Sequence, residues 1–171
     1  YKTEDLQSLD NWKEYLKTTY NQKLENLKYC DLYKNSALRA AIQVNSNLKN
    51  DLHPVLVPSR MTPVYRMSTR VKLPFGMCDD YTEIATAVFR SNGIPVFSDF
   101  TPQWPFRSMG HTWNVLLNNN GKNLSFGGAC TNPGDPHKLD EHMAKAFRRT
   151  YAGYSELEEY QATAKYLPSS F

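Results

Sequence analysis

Cysteine is scarce in this chain and follows no pairing pattern. Cys30, Cys78 and Cys130 are its only three in 171 residues, widely spaced and without a C-x-x-C pair. That excludes a dense disulfide framework and a zinc-ribbon site, and the odd count leaves at least one thiol free. No apolar run approaches the roughly 18 residues of a membrane span, and no basic-then-apolar leader opens the chain. A charge of one sign is missing too. Lys plus Arg number 20 against 17 Asp plus Glu, a net +3 spread along the chain, so there is no phosphate-binding field and nucleic acid is not an expected partner. Internal repeats and low-complexity tracts are absent. What is present is core material: 40% hydrophobic and 13% aromatic residues, under a polar shell reflected in a mean hydropathy of -0.61. The length suits a single domain over residues 1–171. The chain starts at Tyr1 without a methionine, which reads as a fragment or a mature product of a longer, exported polypeptide.

Trp12, Tyr15, Leu16, Tyr20, Leu24 and Leu27 recur at helical spacing and predict one amphipathic helix. Asn35 or Ser36 can cap a second, carrying Leu38, Ala41, Ile42, Asn45 and Leu48 and ending before His53-Pro54. Residues 1–53 are thus a helical preface. Four prolines between Pro54 and Pro74 predict an extended connection. A third helix starts near Cys78, with Asp79 and Asp80 at its positive end, and stops at Asn92-Gly93. Period-two patterns then predict strands over Ile94–Phe100, Thr112–Leu117 and Asn123–Phe126, the last two joined by a turn at Asn118–Gly121. Asp135-Pro136 signals a further helix with Leu139, Met143, Ala146 and Phe147 on one face, and Ser155-Glu156-Leu157-Glu158 a short last one, so 135–167 reads as C-terminal helices. Helices first and antiparallel strands later make an α+β fold.

Cys78 draws the first chemical reading. At a helix start, free backbone N–H groups and the macrodipole favour a thiolate, the nucleophilic form of cysteine. The alternative is a small buried residue sharing a face with Tyr81 and Ala85. His111 opens a predicted strand whose His111, Trp113, Val115 and Leu117 face one side, placing an imidazole at the end of an apolar face. A thiol at a helix start and an imidazole at a strand end can meet when sheet packs on helix, forming thiolate and imidazolium together.

Three ordered motifs strengthen this pair. Gly76-Met77-Cys78-Asp79-Asp80, Arg90-Ser91-Asn92-Gly93-Ile94-Pro95-Val96 and Gly110-His111-Thr112-Trp113-Asn114 resemble the core of the transglutaminase-like superfamily, over about residues 72–135. The resemblance implies a papain-like fold, with the nucleophile at a helix N-terminus packed on a small antiparallel sheet and a Cys-His-Asp triad attacking an amide or ester carbonyl. Carried over, Cys78 is the nucleophile and His111 the general acid/base. The family's aspartate falls by spacing near Phe126, Gly127 or Gly128, where this chain has no carboxylate. Asp135 follows a few residues later as a candidate third member, or as the helix cap. Asn114 is another, since an amide can orient an imidazole. Gln103 or Trp104 can supply an oxyanion hydrogen bond beside the Cys78 N–H, or Trp104 can anchor its loop.

The remaining polar residues point elsewhere. Cys130, His137 and His142 have no zinc spacing, with the histidines about 140° apart around a helix. No clustered acidic loop suggests calcium, and no cofactor is expected. Arg107 can be a rim charge or a clamp on a substrate carboxylate. Tyr151, Tyr154, Tyr160 and Tyr166 can line a sugar or peptide platform or serve as half-buried anchors. The resulting expectation is cysteine-dependent amide acyl transfer or hydrolysis on a protein or peptide substrate, possibly glycan-linked. The rival is an inactive domain kept as a peptide- or glycan-binding module of an exported protein. Cys30 and Cys130 can pair only if their α-carbons come within about 7 Å.

Overall fold

The computed structural model describes residues 9–53, 55–57, 67–72, 75–106, 108–136, 143 and 145–150. The first apolar stripe forms two helices, α1 (Leu9–Tyr20) and α2 (Leu24–Leu27), where its period predicts one. The break has a local cause. The Asn47 amide donates to the carbonyls of Tyr20 and Gln22, both at 2.9 Å, and Lys23 takes a left-handed φ of 64°. These bonds supply carbonyls at the helix end with a partner from another element and turn the chain. Trp12, Leu16 and Tyr20 are buried along α1.

Ser36 starts α3 (Ala37–Leu52) as its sequence position predicts, with its hydroxyl accepting from the Arg39 N–H at 3.2 Å. His53 ends the helix in a left-handed conformation. Ser36→Ala removes the partner of one orphan N–H and is expected to cost about 1 kcal/mol in urea unfolding, with the slope unchanged. A loss below about 0.2 kcal/mol would show that water caps this end equally well.

The proline-rich connection contributes β1 (Val55–Leu56), the single turn α4 (Met67–Arg70) and β2 (Phe75–Gly76), with β1 and β2 paired in parallel. β2 feeds α5 (Cys78–Ser91), the central element of the fold. Then come β3 (Val96–Thr101), β4 (His111–Leu117), β5 (Asn123–Phe126) and β6 (Phe147–Arg149), an antiparallel sheet in the order β5-β4-β3-β6.

α5 packs on β3 and β4 and also contacts α1 and α3, which explains burial of Tyr81, Ile84, Ala85, Val88 and Phe89 together. Phe89 meets Phe126 edge-on at 5.5 Å, and Val96 and Leu116 join the same core. Strand alternation fixes the faces. Thr86 bonds Ser98, and Asn114 bonds Thr82 and Thr86, so Ser98, Asn114, Leu116 and Phe126 face α5. His111, Trp113 and Val115 face the other way.

The molecule is of the α+β class, and no helix among the described residues is long and apolar enough to cross a membrane. One expectation is overturned. The helix predicted from Asp135 to Phe147 does not reach its end, because Phe147 lies in β6, stacked on Phe100 at 5.5 Å, and Arg148 pairs with Asp99 across the strands. Phe147, spaced for a helix face, is used here at a sheet edge. The final predicted helix at Ser155–Glu158 lies outside the described residues.

Candidate active site

Cys78 owes its position to a buried charge pair. The Asp80 carboxylate accepts from the Met77 N–H at 3.0 Å, the reciprocal bond of a capping box, and stands 3.5 Å from the Arg70 guanidinium. Both side chains are over nine-tenths buried. Gly76 allows the close approach, since a Cβ there would sit 2.9 Å from the Asp80 Cβ. The glycine two residues before the cysteine therefore makes room for the residue that closes the helix start, and Cys78 becomes the first residue of α5.

Burial pushes the Cys78 thiol above its ordinary value. The Thr112 backbone N–H pulls it back, the Asp79 carboxylate adds to the rise, and the N–H groups of Asp79 and Cys78 oppose it. The backbone N–H groups favour the thiolate, but desolvation outweighs them.

His111 opens β4, opposite Thr101 of β3. Cys78 and His111 line one cavity of about 470 Å³, a volume suited to a substrate side chain or short peptide segment. Met77, Phe100, Pro102 and Met109 give it apolar walls, and Asp79, Thr112 and Arg149 contribute polar ones. The His111 ring stacks on Trp104 and on Trp113, on the sheet face turned from α5.

Arg149 has no place in the sequence-based site. It bonds Glu83 of α5 and lies over Phe100, reaching the cavity from β6. Its signal is hidden by the helical reading of that segment, and only strand pairing with β3 brings it here.

The other candidates are placed apart from the thiol. Asn114 is fully buried on the α5 face, donating to the Thr82 carbonyl and the Thr86 hydroxyl and accepting from the Gly128 N–H. Asp135 accepts from the Asn132 N–H at 3.1 Å, closing its own turn. That turn is tied to α3 by Asn45. Neither Asn114 nor Asp135 lines the cavity. Gln103 is exposed, while Trp104 is buried against His111. Gly127 bonds Thr131 and Gly128 bonds Asn114, so the end of β5 holds backbone where the resemblance expects a carboxylate. All three cysteines are free thiols, Cys30 and Cys130 included. No group of three or more metal-ligating side chains occurs among the described residues. Arg107, His137, His142 and the tyrosines from Tyr151 onward lie outside those residues. No family model matches the chain, and neither a curated protein nor a solved structure does.

Proposed function

We propose that this domain performs cysteine-dependent acyl transfer on protein or peptide amides in a transglutaminase-like, papain-like frame, with Cys78 as nucleophile and His111 as acid/base. The observation that carries the reading is the one cavity that Cys78 and His111 both line, with nearby backbone N–H groups favouring the Cys78 thiolate. His111 takes the thiol proton, and the thiolate adds to the amide carbonyl carbon. The oxyanion is received by N–H groups of the first turn of α5. Collapse breaks the C–N bond, and the amine leaves with the proton returned by His111. Water, deprotonated by His111, then cleaves the thioester to acid and free thiol, and an acceptor amine in its place gives transamidation. Hydrolysis is the favoured outcome, on the resemblance alone.

A second reading has its own support: burial holds Cys78 in the thiol form, and Asn114 and Gly128 are spent on structure. In that case the cavity binds a peptide or glycan without reacting. The pH dependence of alkylation separates the two. In a Cys30→Ser, Cys130→Ser chain, an ion pair makes Cys78 react with iodoacetamide at pH 6 about tenfold or more faster than a free thiol, and His111→Ala removes that advantage. A raised thiol value means less thiolate than an ordinary cysteine at neutral pH. Under the second reading the rate therefore climbs only above the ordinary thiol range, and His111→Ala changes nothing.

A further inference from the structure

We infer that Trp104 and Trp113 are positioning residues for His111, holding its imidazole edge-on to the Cys78 cavity in a slot between two indole faces. The inference rests on the Cys78–His111 reading for its functional meaning. The Trp104 and His111 ring centroids are 5.9 Å apart with planes 22° from parallel, and those of His111 and Trp113 are 5.8 Å apart at 27°. Both are offset stacks in the attractive range. Trp113 belongs to the same strand face two residues on, and Trp104 comes from the loop after β3. That loop is closed by the Trp104 N–H donating to the Met109 carbonyl at 3.0 Å and by the Thr101 hydroxyl donating to the Gln103 carbonyl at 3.1 Å. Both indoles are buried, so the slot walls are fixed by packing on two separate elements.

A planar ring stacked on two planar faces keeps its plane. Tilting it would open one stack and press on the other. A fixed ring plane favours proton transfer between imidazole and thiol, against the desolvation that raises the Cys78 thiol. The charged groups around the imidazole work unevenly. Asp79 and Arg149 share its cavity, with Arg149 engaged by Glu83. Asp99, on its face of the sheet, is gripped by Arg148 through two bonds of 2.7 and 2.9 Å.

Two readouts on the Cys30→Ser, Cys130→Ser chain test the slot. Proton NMR of the His111 ring is expected to show one ring orientation with fixed ring-to-ring contacts to Trp113 in the parent. Trp104→Leu should average them, and Trp104→Phe, which keeps an aromatic face, should restore them. A Trp104→Leu ring with the parental contacts to Trp113 and the parental line width overturns the inference. In the same variants, iodoacetamide labelling at pH 6 is expected to fall about two- to fivefold in Trp104→Leu, relative to the rate at a pH where the thiol is fully ionised, with Phe recovering most of the loss. An unchanged ratio also overturns it. A parent with no fast reaction at pH 6 sinks the ion pair instead, while the NMR comparison still decides the slot.

Discussion

Gly128→Asp, which puts a carboxylate where the resembling family carries its third triad residue, is expected to unfold the domain instead of completing a triad. A Cβ at Gly128 would stand 2.2 Å from the Ala85 Cβ and 2.5 Å from the Asn114 Oδ1. Backbone, helix and buried amide are in contact there, with no flexible side-chain end to give way. Even Gly128→Ala is expected to cost about 3 kcal/mol or more. The aspartate adds a charge aimed at the Asn114 amide oxygen in the α5 interface, and burying a charge there raises the cost further. Urea unfolding of both variants is the measurement. Adding Ala85→Gly to Gly128→Ala should recover part of the loss, because it removes the nearer contact while the Asn114 contact stays. If Gly128→Ala unfolds within about 0.5 kcal/mol of the parent, the close packing of β5 against α5 is wrong.

Asp80→Ala should be nearly as damaging, through a different cause. It takes the Asp80 carboxylate from a buried Arg70 and leaves the Met77 N–H without its acceptor. Removing one member of a buried ion pair costs about 3–5 kcal/mol, because the other charge stays behind. Asp80→Asn keeps an oxygen for Met77 and loses the charge, so it should fall between parent and Ala. The double variant Arg70→Met, Asp80→Ala is expected to be milder than Asp80→Ala alone, since no charge then remains buried. Additive losses in that cycle would mean the two side chains act independently. Both single variants should also slow any low-pH alkylation of Cys78, because the helix start that presents the sulfur is held by Asp80.

Much of the frame is legible from residue order. Ser36, Asn92-Gly93 and Asn118–Gly121 mark the ends of α3 and α5 and the turn between β4 and β5 through local chemistry, and the structure follows them closely. The misses occur where a distant partner wins over a local pattern. Asn47 breaks the first helix from 25 residues away. Phe147 leaves a plausible helix face because β3 offers an edge and Phe100 a ring to stack on. The site divides along the same line. Cys78 and His111 are visible because a helix start and a strand start are local features, but Arg149 at the cavity is not. The stack around His111 is half visible: Trp113 follows from alternation, while the sequence marks Trp104 only as an oxyanion donor or a loop anchor and not as a partner of His111.

Local composition and period therefore settle the α+β class, the order of elements and the presentation of one thiol and one imidazole at element ends. Those properties depend on backbone donors and side-chain spacing within a few residues. Which side of the sheet each group meets, the spending of Asn114 and Gly128 on the α5 interface, the buried Arg70–Asp80 pair and the balance of burial against N–H donors at Cys78 were decided by packing between segments far apart in the chain. Desolvation depends on everything that surrounds a group, and no stretch of neighbouring residues encodes that.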